Sequence, residues 1–465
     1  MKIQQIYTKC LAQGAYYISS EGEVAIIDPL REVGDYLDMA KQEGANIKYV
    51  FETHFHADFV SGHLDLAQKT GAQIVYGQTA EPNFPAHIAK DGEKFRIGKL
   101  QLQAIHTPGH TMESTCYLLY DEQQKPIAIF TGDTLFLGDV GRPDLAQKAA
   151  HLSQEDLAGI LYDSLYKKIL PLPDDIVVYP AHGAGSACGK NMIDATQDTL
   201  GNQKKTNYAL NQPNKQAFVQ AVTEGLTAPP AYFSLNVALN KQGSQSVDAV
   251  LAQSAKALSA QEFENILQSQ KATVLDVRHA DTFCKGFIPE AINIGLAGDF
   301  APWVGTILQD VQTPLLLVAE ENQVEEAIIR LSRVGFDYVL GYLAGGVAAW
   351  QKAGKPLSSI KRISAEDFAG QKTDTAILDV RKQGEYEKQH LQHAKHLPLA
   401  DIHAWSKNLD KIKPYTLHCQ GGYRSMIATS FLHKQGFQNL QEIAGGFASL
   451  AKTNLPLSKA NSCAL

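Results

Sequence analysis

The sequence predicts an α/β chain of several domains, and three observations lead there. Short apolar runs, among them EVAIIDP, IKYVFETH, AQIVYG, LQLQAIHTPGH, PIAIFTGD and DIVVYPAHG, recur through the first half, and several end on a histidine or aspartate inside a turn. Amphipathic stretches such as DYLDMAKQEGA and QEDLAGILYDSLYKKIL alternate with them and supply helices for the outer faces. Further on the chain repeats itself at a spacing of about a hundred residues, which is a domain length and not a solenoid period.

At 465 residues the chain is too long for one core and implies two to four domains. A composition of 44% apolar and 20% charged residues is that of a globular protein. The formal net charge of -7 gives no support for nucleic acid or an anionic membrane as partner. The opening MKIQQIYTKCLAQGAYYISS has no apolar signal region, and no run of about 18 apolar residues suggests a membrane span, so a cytoplasmic protein is expected. Six cysteines (Cys10, Cys116, Cys188, Cys284, Cys419 and Cys463) form no C-x-x-C pair and read as free thiols.

Three domains are expected, at 1–245, 260–356 and 362–458, with the polar stretch KQGSQSVDAVLAQSAKAL leading from the first into the second. The repeat defines the last two. TVLDVRHADTFCKGFIPEAINI is echoed by AILDVRKQGEYEKQHLQHAKHL, and GFDYVLGYLAGGVAAW by GFQNLQEIAGGFASL.

In the first domain the strand ends place polar residues on one rim: His54, His56 and Asp58 in THFHADFVSGH, His110 in HTPGHT, Asp133 in FTGDTLF and His182 in YPAHG. Imidazole is the commonest ligand for borderline metals and a carboxylate makes a site harder. One strand-end histidine is ordinarily structural; this ordered set reads as a metal site.

The order and spacing resemble the metallo-β-lactamase superfamily, whose fold is a four-layer αββα sandwich. That resemblance implies a first metal on His54, His56 and His110, and a second on Asp58, residue 59 and His182, with Asp133 bridging. Here residue 59 is Phe59, which cannot coordinate and is expected to fill the second pocket, so one metal ion per chain is expected. Glyoxalase-II-like thioester hydrolases of the superfamily use two metals; its persulfide dioxygenases use one Fe(II) on two histidines and an aspartate. GDTLFLGDVGRPDL, TLGNQKKTNYAL and PPAYFSLNVALN resemble the dioxygenases. Carried over by position, the Fe(II) ligands are His54, His110 and Asp133, with zinc able to substitute in vitro. His56, Asp58 and His182 then lie behind them and orient ligands and bound water.

Arg142, oriented by Asp144, is a candidate to hold substrate or developing sulfur-oxyanion charge, against the alternative of a structural Arg–Asp pair. Cys188 in HGAGSACGKN reads as a glycine-rich turn entering a helix whose amides lower the thiol pKa; it is a candidate sulfur handler, against a small buried residue.

In the last domain YTLHCQGGYRSMIATSFLHKQGF runs strand, loop, helix, with Cys419 at the strand's end. Backbone N–H groups around Gly421 and Gly422 can hold a thiolate or persulfide anion, Tyr423 completes the expected substrate contacts, and Arg424 is expected to bind an oxyanion. With ILDVRKQGEYEKQHLQHA before it and EIAGGFASL after, the domain resembles rhodanese, and Asp379 and Arg381 read as structural. Its Cys-x4-Arg loop is one residue shorter than the Cys-x5-Arg of phosphatases, which favours sulfur transfer. The equivalent LLLVAEENQVEEA of the first copy has neither cysteine nor arginine. Either Val318 or Ala319 takes the nucleophile's place, Glu320, Glu321, Glu325 and Glu326 repel anions, and no sulfurtransferase activity is expected there. Cys284 reads as packing, Cys463 as an exposed bystander, and the histidines from His390 to His403 as solvated surface.

This order of domains resembles bacterial fusions of persulfide dioxygenase with sulfurtransferase. The resemblance implies an enzyme that oxidises a small-molecule persulfide (of glutathione, coenzyme A or another thiol) with O2 to sulfite, and converts sulfite to thiosulfate through Cys419, detoxifying sulfide as a homodimer or tetramer. The alternatives are a glyoxalase-II-like hydrolase fused to a sulfurtransferase, and a non-catalytic sulfur carrier or persulfide sensor.

Overall fold

The computed structural model describes residues 1–371 and 375–459, and of 148 and 149 the backbone alone; Cys463 lies outside the described residues. The chain divides into two compact units, Met1–Ala249 with Ser332–Gly335, and Val250–Leu331 with Phe336–Leu465.

The first unit carries two six-stranded sheets. One is formed in order by β1 (Lys2–Thr8), β2 (Gln13–Ser20), β3 (Glu23–Ile27), β4 (Asn46–Phe51), β5 (Gln73–Tyr76) and β6 (His87–Ile88); the other by β7 (Lys94–Ile97), β8 (Leu100–His106), β9 (Thr115–Tyr120), β10 (Pro126–Gly132), β11 (Val177–Pro180) and β12 (Asp198–Thr199). Strand alternation explains the layers. On β2 and β3, Tyr16, Ile18, Ala25 and Ile27 join Leu102, Tyr117, Leu119 and Phe130 between the sheets. Their neighbours Ala15, Tyr17, Val24 and Ile26 pack outward with Tyr36 and Ala40 of the helix Gly34–Glu43. Outside the second sheet, Leu118, Ile129 and Val178 pack with Leu157, Leu161 and Phe218 of the helices Gln154–Ser164 and Lys215–Thr223. Sheets buried on both faces account for the near-continuous apolar runs, and the result is the αββα sandwich.

The second unit holds two five-stranded sheets of matching order. The first copy has β13 (Ala257–Leu258), β14 (Thr273–Asp276), β15 (Ile292–Asn293), β16 (Leu315–Val318) and β17 (Val339–Leu343), ordered β13-β17-β16-β14-β15. The second has β18 (Lys361–Ile363), β19 (Ala376–Asp379), β20 (His390–Leu391), β21 (Lys395–His396), β22 (Tyr415–His418), β23 (Leu440–Ile443) and β24 (Leu457–Ser458), with sheet order β18-β23-β22-β19-β21 and β20 paired to β24. Asp276 pairs with Val318 as Asp379 pairs with His418, so Ala319, and not Val318, occupies the place of Cys419. The helix Tyr423–Lys434 is buried from Ser425 to Leu432. Met426 reaches the core of the first copy, and Asn293 N donates to Ser430 Oγ at 3.0 Å, so the two copies share this helix.

Candidate functional site

All six rim residues of the first unit gather where strands end: His54, His56 and Asp58 after β4, His110 after β8, Asp133 directly after β10 and His182 after β11. Gly132 precedes Asp133 with φ +51°, and a Cβ there would lie 2.5 Å from Thr53 Oγ1, so only glycine lets the two loops meet. His54, His110 and Asp133 each offer a buried donor atom within 4.8 Å of the others. His110 Nε2 is 3.4 Å and His54 Nε2 3.9 Å from Asp133 Oδ2. Two ligands at about 2.1 Å from one ion lie about 3.0–3.5 Å apart, so the His110 spacing suits a shared cation as it stands, and the His54 spacing would have to close by roughly half an ångström.

The tautomers suit it too. His110 Nδ1 faces the Arg142 carbonyl at 2.9 Å and must carry the proton. Thr53 Oγ1 donates to Asp28 Oδ2 at 2.8 Å, so it accepts from His54 Nδ1 at 3.0 Å. Nε2 of each ring is left with its lone pair. Burial and the neighbouring rings of His56, His110 and His182 hold His54 well below the ordinary histidine pKa, hence neutral. Both oxygens of Asp133 lack a hydrogen-bond partner among the described residues, a costly state for a buried carboxylate that a cation relieves. The residues fit a metal.

Phe59 is buried and stacks on His56, centroids 4.3 Å apart. His56 Nε2 turns to Asp28 Oδ1 at 3.1 Å and Glu52 Oε2 at 3.3 Å. Burial opposes a charge on this ring, but Asp28 and Glu52 outweigh it and lift its pKa well above the usual value. His56 therefore acts on His54 through Asp28 and Thr53. The Phe59 ring packs on His56, and beside it His182 Nε2 lies 3.4 Å from Asp58 Oδ2 and 3.6 Å from Asp133 Oδ1, with Cys188 close to Asp133 and His182.

Two expectations are corrected. No helix follows Cys188; 183–197 is turn and bend, because Asp139 Oδ2 takes the N–H groups of Lys190 and Asn191 as a loop cap. Burial, then Asp58 and Asp133, push its thiol well above the ordinary cysteine pKa, and only a bound cation would reverse that. Arg142 is a buried bracket and not a free clamp. It grips Asp144 through Nε and Nη2 at 2.6 and 2.7 Å and donates to the carbonyls of Ala187 and Thr227, leaving one of five N–H groups for substrate. Sequence reading missed Asn240, whose amide holds the carbonyls of His56 and Phe59 and the Ser61 N–H, fixing the metal loop. Asn240 lies near the end of the helix Phe233–Gln242, whose sequence has little amphipathic patterning to mark it, and the groups it holds are some 180 residues away.

In the second unit Cys419 is buried and accepts Gly422 N–H at 3.1 Å, with Ser425 Oγ at 3.4 Å. Gly422 has φ +98°, and a Cβ there would meet Arg362 Nη2 at 2.6 Å; one on Gly421 would meet nothing within 4 Å, so Gly421 borders open space. Tyr423, expected to touch substrate, instead donates to the Gly295 carbonyl at 2.8 Å, its ring covering Gly298 of the first copy. Arg424 is held by both oxygens of Glu385 at 2.6 and 2.7 Å, so an anionic acceptor competes with that carboxylate. Asp379 and Arg381 form a bidentate pair repeated by Asp276 and Arg278, and Arg381 Nη1 reaches Gln420 Oε1 at 3.4 Å. His390 and His396 stack on Tyr386 and His403 Nε2 faces the Ile307 carbonyl, so these histidines pack, while His393 is exposed. No helix among the described residues is long and apolar enough to cross a membrane.

Residues 9–182 match the metallo-beta-lactamase superfamily, and residues 259–353 and 364–453 match the rhodanese-like domain. A crystal structure of a metallo-beta-lactamase from Staphylococcus aureus is 34% identical, with a TM-score of 0.66 over 73% of this chain and 98% of that one. A probable hydroxyacylglutathione hydrolase of Schizosaccharomyces pombe is 32% identical over 164 residues, 34% of this chain. The mitochondrial persulfide dioxygenase ETHE1 of Homo sapiens is 33% identical over 162 residues, also 34% of this chain. The chain spans 59% of the length of each of these two relatives. The chain thus belongs to the metallo-beta-lactamase superfamily, its sandwich followed by two rhodanese-like domains. Its relatives include both a probable hydroxyacylglutathione hydrolase and a persulfide dioxygenase.

Proposed function

We propose that the first unit oxidises a low-molecular-weight persulfide and that the second moves sulfane sulfur through Cys419. Persulfide, O2 and water give thiol and sulfite; a persulfide on Cys419 then gives its outer sulfur to sulfite, leaving the Cys419 thiol and thiosulfate. The observation that carries this reading is the donor set that remains when Phe59 withholds a nitrogen: the imidazoles of His54 and His110 and the unpaired carboxylate of Asp133. Fe(II) held by His54, His110 and Asp133 would supply the one-electron chemistry that O2 needs with closed-shell sulfur. The chain's part is orientation: Thr53 and the Arg142 carbonyl fix the ligand tautomers, and Asn240 fixes the loop. In the second unit the Gly422 N–H and the start of the helix Tyr423–Lys434 stabilise negative charge on the Cys419 sulfur. The test is O2 uptake with glutathione persulfide, set against sulfite and thiosulfate yields.

A second reading has its own support. Asp58, His182 and Cys188 stay together beside Asp133 and could complete a second cation site, as thioester hydrolysis by a metal pair would need. Anaerobic turnover of S-lactoylglutathione by zinc-loaded protein would favour it.

A further inference from the structure

A buried carboxylate in the second unit is unused by the sulfur-transfer reading. Glu442 lies within β23 and is fully buried. Arg362 Nε donates to its Oε2 at 2.7 Å, and Arg362 is paired in turn with Asp281 of the first copy. The other oxygen, Oε1, accepts the Ser425 hydroxyl at 2.6 Å, and the same Ser425 Oγ is 3.4 Å from Cys419 Sγ. A hydroxyl has one proton and two lone pairs. While Ser425 donates to the Glu442 carboxylate it can only accept from the Cys419 thiol; once Glu442 is protonated and donates, Ser425 donates to the thiolate.

The silent copy is an internal control. Arg362 pairs with Glu442 across the sheet as Ala257 pairs with Tyr342, so Tyr342 and Ala257 replace the ion pair. Aligning Gly335-Phe336 with Gly436-Phe437 sets Val324 against Ser425. The copy that has Ala319 for Cys419 has therefore lost the serine, the glutamate and the arginine as well.

We propose that Ser425 and Glu442 form a proton relay for Cys419, with Ser425 as a catalytic residue on the sulfur and Glu442 as the positioning carboxylate behind it; this rests on the reading of Cys419 as the sulfur nucleophile. The Cys419 S–H proton passes to Ser425 Oγ as the Ser425 proton passes to Glu442. The thiolate attacks the outer sulfur of R–S–SH, the S–S bond to R–S breaks as the bond to Cys419 forms, and R–S⁻ leaves with the electron pair. Glu442 returns its proton through Ser425 to the leaving thiolate, giving RSH and a Cys419 persulfide. Burial raises the Glu442 pKa to about 7 against the pull of Arg362, which suits a group that must take and return a proton near neutrality. The charged and titratable groups facing the relay are Arg362, Asp281 and Cys284 around Glu442, and Arg424, itself paired with Glu385, near Cys419.

The test is the rate of Cys419 alkylation by iodoacetamide in the full chain against pH, read by mass spectrometry of the cysteine peptide. Wild type should react with an inflection near pH 7. Ser425→Ala, which leaves the Arg362–Glu442 pair untouched, and Glu442→Gln should each slow the reaction about a hundredfold at neutral pH and rejoin wild type near pH 10. Ser425→Thr, which keeps the hydroxyl, should restore the wild-type profile. Rates within about twofold of wild type at neutral pH, a loss that persists at high pH, or no wild-type reaction would overturn the relay. Thiosulfate formation from glutathione persulfide and sulfite is measured on the same proteins. A relay profile without thiosulfate keeps the relay and removes the sulfur-transfer reading; thiosulfate without the profile removes the relay alone.

Discussion

At Phe59 a ring stands where its superfamily resemblance would place an imidazole, and its effect reaches further than a lost ligand. It stacks on His56, which the resemblance gives to the first metal of a pair and which turns its Nε2 to Asp28 and Glu52 instead, so a nitrogen restored at position 59 still leaves the pair short of His56. Phe59→His should therefore give no S-lactoylglutathione hydrolysis on its own; turnover by that single variant would show that one donor was all the second site lacked. Arg142 yields a second prediction at this scale. Arg142→Met strands the Asp144 carboxylate, only 9% exposed, and should cost about 3–5 kcal/mol in the unfolding of the first unit, whereas Arg142→Met with Asp144→Leu recovers most of it. A raised KM with unchanged stability would instead return Arg142 to the substrate. Its bracketing role could not be read from sequence, because Ala187 and Thr227, whose carbonyls it holds, are remote in the chain.

Among the elements, legibility followed locality. The rim histidines and Asp133 announce themselves because each closes an apolar run, and the Cys419 loop because strand, glycines and helix are contiguous. The glycine and serine residues around Cys188 suggest a helix start equally well as a turn, and Asp139, some fifty residues earlier, decides for the turn. Tyr423 lies in the loop by sequence but belongs to the inter-copy seam by its hydroxyl, since the first copy presents Gly295 and Gly298 to it. Glu442 stands in the strand Leu440–Ile443, where its repeat partner is Tyr342. Its carboxyl titrates near 7 in the folded unit against 4.5 for a free glutamate, so the folded state binds the proton more tightly. The resulting stabilisation is complete below about pH 4.5 and is lost as pH rises through about 7, a change of roughly 3 kcal/mol. Urea unfolding of the second unit across that range should show the decline, and Glu442→Gln should flatten it; an unchanged slope in the variant would remove Glu442 as its source.

Across the whole molecule, the proposed function puts two half-reactions on one chain, which would raise the local concentration of a shared intermediate without any new contact. The first copy of the repeat keeps the fold, the Asp–Arg pair and the seam while lacking the nucleophile, which gives it a structural part: it packs the helix that opens the Cys419 loop. Cys419→Ser should shift the product from thiosulfate to sulfite with O2 uptake intact, and unchanged thiosulfate would break the coupling. The measurement that bears most directly on the account is O2 consumption with glutathione persulfide by iron-loaded protein beside a zinc-loaded control. Uptake that requires iron and ends in sulfite or thiosulfate is the predicted result. Absence of uptake with glutathione, cysteine and coenzyme A persulfides, together with anaerobic thioester hydrolysis by the zinc form, would contradict it and leave Cys419 as the remaining sulfur centre.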